Sequence, residues 1–153
     1  MTGVQTCALP IYHDAAADAV NRIEWVRRQL YDLVDVLESQ GDAPDLVAGA
    51  GELDASLIEV EEELIQLRST GTGQDGVRWP AKIAEKLSRL FGSSGTADFR
   101  PTDQQGEVQV LLRSQLIDAR AALDRVLDDE LAAFNQLLRE RGLNPLISDG
   151  DGE

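Results

Sequence analysis

The chain is expected to fold as an all-α protein, an antiparallel bundle of three long helices with one short helix. Two features of the sequence lead there. Apolar residues recur in steps of three and four along three long runs, the period of one helix face. No stretch shows the strict alternation of a half-buried strand. With 153 residues the length suits one domain, and at 42% hydrophobic but only 5% aromatic its core should be built from Leu, Val, Ile and Ala.

The first run places Ala16, Ala19, Ile23, Val26, Leu30, Leu33 and Leu37 on one stripe, with Arg27, Arg28, Asp32 and Asp35 off it. Gly41 suits the residue just past the helix end, and Pro44 blocks continuation. The second run uses Leu46, Ala50, Leu53, Leu57, Val60, Leu64 and Leu67. Gly49 and Gly51 weaken its opening turns by about 1 kcal/mol each relative to Ala, so a proper start is expected only near Glu52. Glu59, Glu61, Glu62 and Glu63 read as a solvated face of this helix.

Gly71 to Leu90, GTGQDGVRWPAKIAEKLSRL, separates the long runs and holds one of the two tryptophans. Gly71, Gly73 and Gly76 spell the dinucleotide fingerprint, but no strand delivers the loop and no βαβ unit can be drawn, so this is an interhelix loop. Pro80 is expected to open the short helix, with Ile83, Leu87, Leu90 and Phe91 on its apolar side. Trp79 is expected to plug the loop against the long helices, so that Trp79→Ala would cost about 3–5 kcal/mol.

Thr102 and Gln105 form a capping-box signal for the last helix. It continues through Leu112, Leu116, Ala119, Leu123, Leu127, Leu131, Phe134 and Leu138 to Arg141. Gly142 stops it, Leu143 supplies the hydrophobic contact beyond the stop, and Pro145 blocks resumption. Residues 12–147 are read as the helical domain and 148–153 as a disordered tail.

The charge is −14, from 28 acidic and 14 basic residues. That is the wrong sign for binding nucleic acid through its phosphates or for attachment to anionic lipid. No run reaches the roughly 18 apolar residues of a membrane span. Cys7 is the single cysteine and His13 the single histidine, which argues against a thiolate metal cluster and leaves His13 the one candidate base for a nucleophile. No catalytic residue, cofactor site or metal site is expected. The candidate interaction residues are Asp75, Arg78 and Trp79. A groove shared by all three would favour a ligand-binding role, and a buried Trp79 beside a solvent-facing Arg78 a structural one.

Residues 1–11, MTGVQTCALPI, resemble the translation of a sequencing-library adapter. On that reading the natural chain continues upstream, and the first helix lacks its opening turns. Asp14 to Gln40 gives roughly 40 Å against roughly 60 Å for Thr102 to Arg141. Leu131, Phe134 and Leu138 are then expected to be less buried than Leu116, Ala119 and Leu123, and to drive self-association.

The string from Glu52 to Arg89, ELDASLIEVEEELIQLRSTGTGQDGVRWPAKIAEKLSR, resembles the C-terminal helical region of bacterial sortilin-like propeller proteins with BNR (Asp-box) repeats, which are often labelled glycosyl hydrolases. The likeness continues through Pro101-Thr102-Asp103-Gln104 and Leu131 to Leu143, and Ile11 to Leu30 is similar to the family's long helix after the propeller. The Asp-box S-x-D-x-G-x-T-W is absent from this chain, so no propeller site residue carries over. The resemblance implies an exported, non-catalytic helical module whose partner is the β-propeller or a second copy. The alternative it implies is an accessory part of a glycosyl hydrolase-like or ligand-binding propeller site.

Overall fold

The computed structural model describes residues 9–41, 43–68, 74–95 and 103–149. These form α1 (Leu9–Gln40), α2 (Pro44–Leu64), a single turn α3 (Asp75–Arg78), α4 (Ile83–Gly95), α5 (Asp103–Arg125), a π-helical segment (Val126–Leu131) and α6 (Ala132–Glu140). There is no strand among the described residues, and the all-α class expected from the periodicity holds. The capping box at Thr102 lies outside the described residues. The chain clusters into two compact units, one of residues 1–20 and 61–120, the other of residues 21–60 and 121–153.

In the second unit the apolar stripes meet as their spacing requires. Ile23, Val26 and Leu30 of α1, Leu46, Leu53 and Leu57 of α2, and Leu131 and Leu138 at the end of the last helix are all buried. Gly41 adopts a left-handed φ of 69° and donates its N–H to the Leu37 carbonyl at 3.0 Å, closing α1. Gly142, at φ 71°, closes α6 with a Schellman pair: Leu143 N–H to the Leu138 carbonyl at 2.9 Å and Gly142 N–H to the Arg139 carbonyl at 3.0 Å. Both stops fall where Gly was expected to place them.

Two expectations fail in this unit. α2 starts at Pro44, not near Glu52. Gly49 lies against the Phe134 ring, to which a Cβ built there would stand at 3.4 Å, an ordinary contact distance, so this turn of α2 is packed from outside. Gly still weakens the helix locally, but packing of Phe134 offsets that cost. The second failure concerns burial. Leu131, Phe134 and Leu138 are 2%, 4% and 0% exposed and Leu116, Ala119 and Leu123 3%, 0% and 1%, so both sets are buried. No apolar strip is left open there. Asp45 meets Arg141 and Gly49 meets Phe134, so rising numbers in α2 pair with falling numbers in α6 and the two run antiparallel. Arg27 ties α1 to α2: its Nε donates to Asp54 Oδ1 at 2.8 Å, and Tyr31 Oη donates to Asp54 Oδ2 at 3.3 Å.

The long last helix is not regular. Leu123, Leu127 and Leu131 are spaced four and four, and each such step overshoots a full α-turn by roughly 40°. The wider turn of the Val126–Leu131 segment takes up that overshoot and keeps Val126, Leu127 and Leu131 all buried.

In the first unit Ala16 and Ala19 of α1, Leu64 of α2, Ile83 and Leu87 of α4, and Leu112 and Leu116 of α5 are buried. Glu61 joins them at 2% exposure, which corrects its reading as part of a solvated face. Leu57 and Leu64 flank it at four and three residues, so its position belongs to the core edge of the stripe. Leu67, assigned to that stripe, is 40% exposed because α2 ends before it.

Candidate functional site

The loop ahead of α4 is held by one carboxylate and one amide. α2 ends at Leu64, and the Gln66 N–H donates to Glu85 Oε1 at 2.8 Å. Glu85 Oε2 accepts the Lys82 N–H at 2.9 Å, the reach-back of a third-position glutamate to the residue that starts its own helix. The Gln66 side chain donates to the Pro80 carbonyl at 3.0 Å and accepts the Arg68 N–H at 3.2 Å. The short helix therefore begins at Ile83, with Pro80, Ala81 and Lys82 outside it, rather than at Pro80. The signal in the sequence is Lys82-x-x-Glu85, and it is a weak one because lysine is not among the usual capping side chains.

Trp79 sits beside this clamp in a groove of about 250 Å³ lined by Glu62, Gln66, Arg68, Pro80 and Lys82. The Arg68 guanidinium lies 5.2 Å from the ring centroid and 3.8 Å from Glu62. Trp79 is half-buried, so it is not the buried plug expected of it. Arg78 is exposed and takes no part in the groove. Asp75 opens α3, and its side chain lies outside what is described. The three candidate residues are thus not gathered into one groove among the described residues.

A further groove, of about 480 Å³, is lined by Glu63, Lys82, Ile83, Lys86, Gln115 and Asp118. Lys82 and Lys86 are the chain's two lysines, one helical turn apart. Facing two carboxylates, they leave the groove of mixed charge with no preference for one sign of ligand.

His13 has an unexpected neighbour. Its Nε2 lies 3.0 Å from Ser88 Oγ, its Nδ1 lies 3.5 Å from Asp14 Oδ1, and its ring stacks on Phe91 at 6.3 Å between centroids. The order Ser–His–Asp is that of a hydrolase triad. The surroundings are not. Ser88 is in the middle of α4, where the backbone N–H groups are engaged in the helix and no pair of them faces an oxyanion. The side chains of His13 and Asp14 are 41% and 76% exposed, and neither Ser88 nor His13 lines the Trp79 or the lysine groove.

The most specific polar arrangement involves the segment after α6, which has no motif in the sequence. Asn135 of α6 donates from Nδ2 to the Leu146 carbonyl at 2.9 Å and accepts the Leu146 N–H at 2.7 Å. Gln29 of α1 donates from Nε2 to the Ile147 carbonyl at 2.9 Å and accepts the Ile147 N–H at 3.0 Å. Arg22 forms an ion pair with Asp149, Nε to Oδ1 2.9 Å apart but not aligned as a hydrogen bond, and its Nη1 lies 3.5 Å from Asp124 Oδ1. Asp149, in the segment expected to be a disordered tail, thus meets Arg22, and residues 150–153 lie outside the described residues.

Among the described residues no group of three or more His, Cys, Asp or Glu is arranged to hold a metal ion, and no helix is long and apolar enough to cross a membrane. Cys7 lies outside them. No family model, no curated protein and no solved structure matches the chain.

Proposed function

We propose that this chain is a non-catalytic structural and interaction module, of the kind that follows the propeller in exported sortilin-like BNR-repeat proteins. The observation that supports this best is on α5. Val110 and Ile117, seven residues apart and so on one side of α5, are 61% and 55% exposed, opposite the buried Leu112, Leu116 and Ala119. Single exposed aliphatics are ordinary, whereas a cluster marks a surface that meets another one. The polar residues with the most directed hydrogen bonds, Glu85, Gln66, Gln29 and Asn135, bind the chain's own backbone. The partner on this reading is the β-propeller or a second copy of the chain.

The test is a pull-down between this chain and a separately produced sortilin-like propeller, with Val110→Lys and Ile117→Lys as variants. The reading expects capture by the unmodified chain and its loss in both variants. Capture unchanged by the variants, or none at all, contradicts it. The groove at Trp79 favours the alternative, an accessory part of a glycosyl hydrolase-like or ligand-binding site, because a half-exposed indole is a stacking platform for a sugar face. That alternative requires saturable glycan binding by the isolated chain that disappears in Trp79→Ala. Hydrolysis of an activated ester, lost in His13→Ala, would instead make the Ser88–His13 pair catalytic.

A further inference from the structure

The segment after α6 is held in a way that reads its main chain. In an extended chain the N–H and C=O of one residue point to one side and those of the next to the other. A side-chain amide presents one donor and one acceptor side by side, so it can pair with both groups of a single residue as a neighbouring strand would. Asn135 does this to Leu146 and Gln29 does it to Ile147, four hydrogen bonds of 2.7–3.0 Å on two successive residues. Only part of the segment's side-chain surface is read. Leu146 is half-buried, Ile147 is 58% exposed, and Asp149 faces Arg22.

We propose that Arg22, Gln29 and Asn135 form a docking track for an extended peptide with an aliphatic residue followed three positions later by an acid. The chain's own Leu146 to Asp149 occupies it, and the same segment of a second copy enters it by exchange. Two things make the occupant exchangeable. The bonds are to backbone, so any extended chain of that pattern satisfies them, and the resident segment, joined to α6 through residues 143–145, forms no helix of its own. The tether keeps the resident at an effective concentration on the order of millimolar, so it competes with any incoming peptide. The proposal deepens the interaction reading by naming another surface and its partner. It does not depend on the α5 face.

The test uses the full chain carrying Leu146→Pro, which removes the N–H that Asn135 accepts, with Ile147→Pro as a companion variant acting on Gln29. A synthetic peptide of residues 143–153, LNPLISDGDGE, is titrated to about 5 mM into isotope-labelled chain while the side-chain amide signals of Gln29 and Asn135 are followed by NMR. The expected result is saturable shifts at those signals, with affinity at least about tenfold higher in the proline variants than in the unmodified chain. A peptide with proline at both the Leu146 and Ile147 positions is expected to give none. Proline variants of unchanged helical circular dichroism that show no shifts, or that respond equally to the proline peptide, overturn the proposal. The propeller pull-down is read separately, so a failed titration leaves the α5 reading to stand or fall by its own variants.

Discussion

The loop before α4, which holds the single turn α3, and the segment after α6 are both connectors, and their sequences point opposite ways. The loop carries the tryptophan and the candidate residues, whereas the segment after α6 has the composition of a frayed end. In the structure the loop is clamped by Glu85 and Gln66, and Trp79 rests half-open beside the clamp. The segment after α6 is gripped from two sides by Gln29 and Asn135. Side-chain hydrogen bonds to backbone thus hold both segments, the one with conspicuous side chains and the one without. Order in a connector follows from which side chains satisfy its backbone groups, since an unpaired backbone amide taken from water is costly, and aromatic content is a poor guide to it.

The largest effect expected is in the unit that holds the tail. Phe134→Ala removes a 4%-exposed ring packed against Gly49 and should destabilise by about 3–5 kcal/mol in denaturant unfolding. A loss under about 1 kcal/mol would mean that the Gly49 contact is not what sets the early start of α2. Next comes the loop clamp. Glu85→Ala strips the acceptor from two backbone amides, Gln66 and Lys82, and should cost about 1–3 kcal/mol, whereas Glu85→Gln keeps one acceptor oxygen and should cost less. Equal losses for the two substitutions would show that the carboxylate charge, not its two oxygens, matters. The smallest effect is at the residue most conspicuous in the sequence. Trp79→Ala should cost about 1–2 kcal/mol, below the range for a fully buried aromatic, because Trp79 is only half covered. A melting shift as large as that of Phe134→Ala would return Trp79 to the role of plug.

Much of the scaffold was legible. The stripes from Ala16 to Leu37 and from Leu46 to Leu64, and the stops at Gly41 and Gly142, follow from apolar period and from the left-handed backbone that glycine tolerates. What escaped depended on partners distant in sequence. Gly49 reads as a helix breaker because Phe134, whose ring packs beside it, lies far along the chain. The π segment leaves a trace in the four-and-four spacing of Leu123, Leu127 and Leu131, but a period that varies by one residue is easily read as a regular helix. Glu61 stands among acidic neighbours, although its spacing from Leu57 and Leu64 sets it toward the core. Of the site, the position of Trp79 in the loop was legible and its company was not. Gln29 and Asn135 give no signal, since a glutamine or asparagine on a helix is ordinarily a solvated side chain, and what it grips is decided by the fold.

Side-chain amides and one carboxylate, acting on backbone, order the two connectors. Amide hydrogen exchange at Gln66, Lys82, Leu146 and Ile147 tests it most directly, because each of these N–H groups donates to a side chain rather than to a helix ladder. The prediction is protection at least about tenfold above the unstructured rate at all four. Asn135→Ala should release Leu146 and Glu85→Ala should release Gln66 and Lys82, each leaving the other connector protected. Exchange of all four at the unstructured rate in the unmodified chain would contradict the claim.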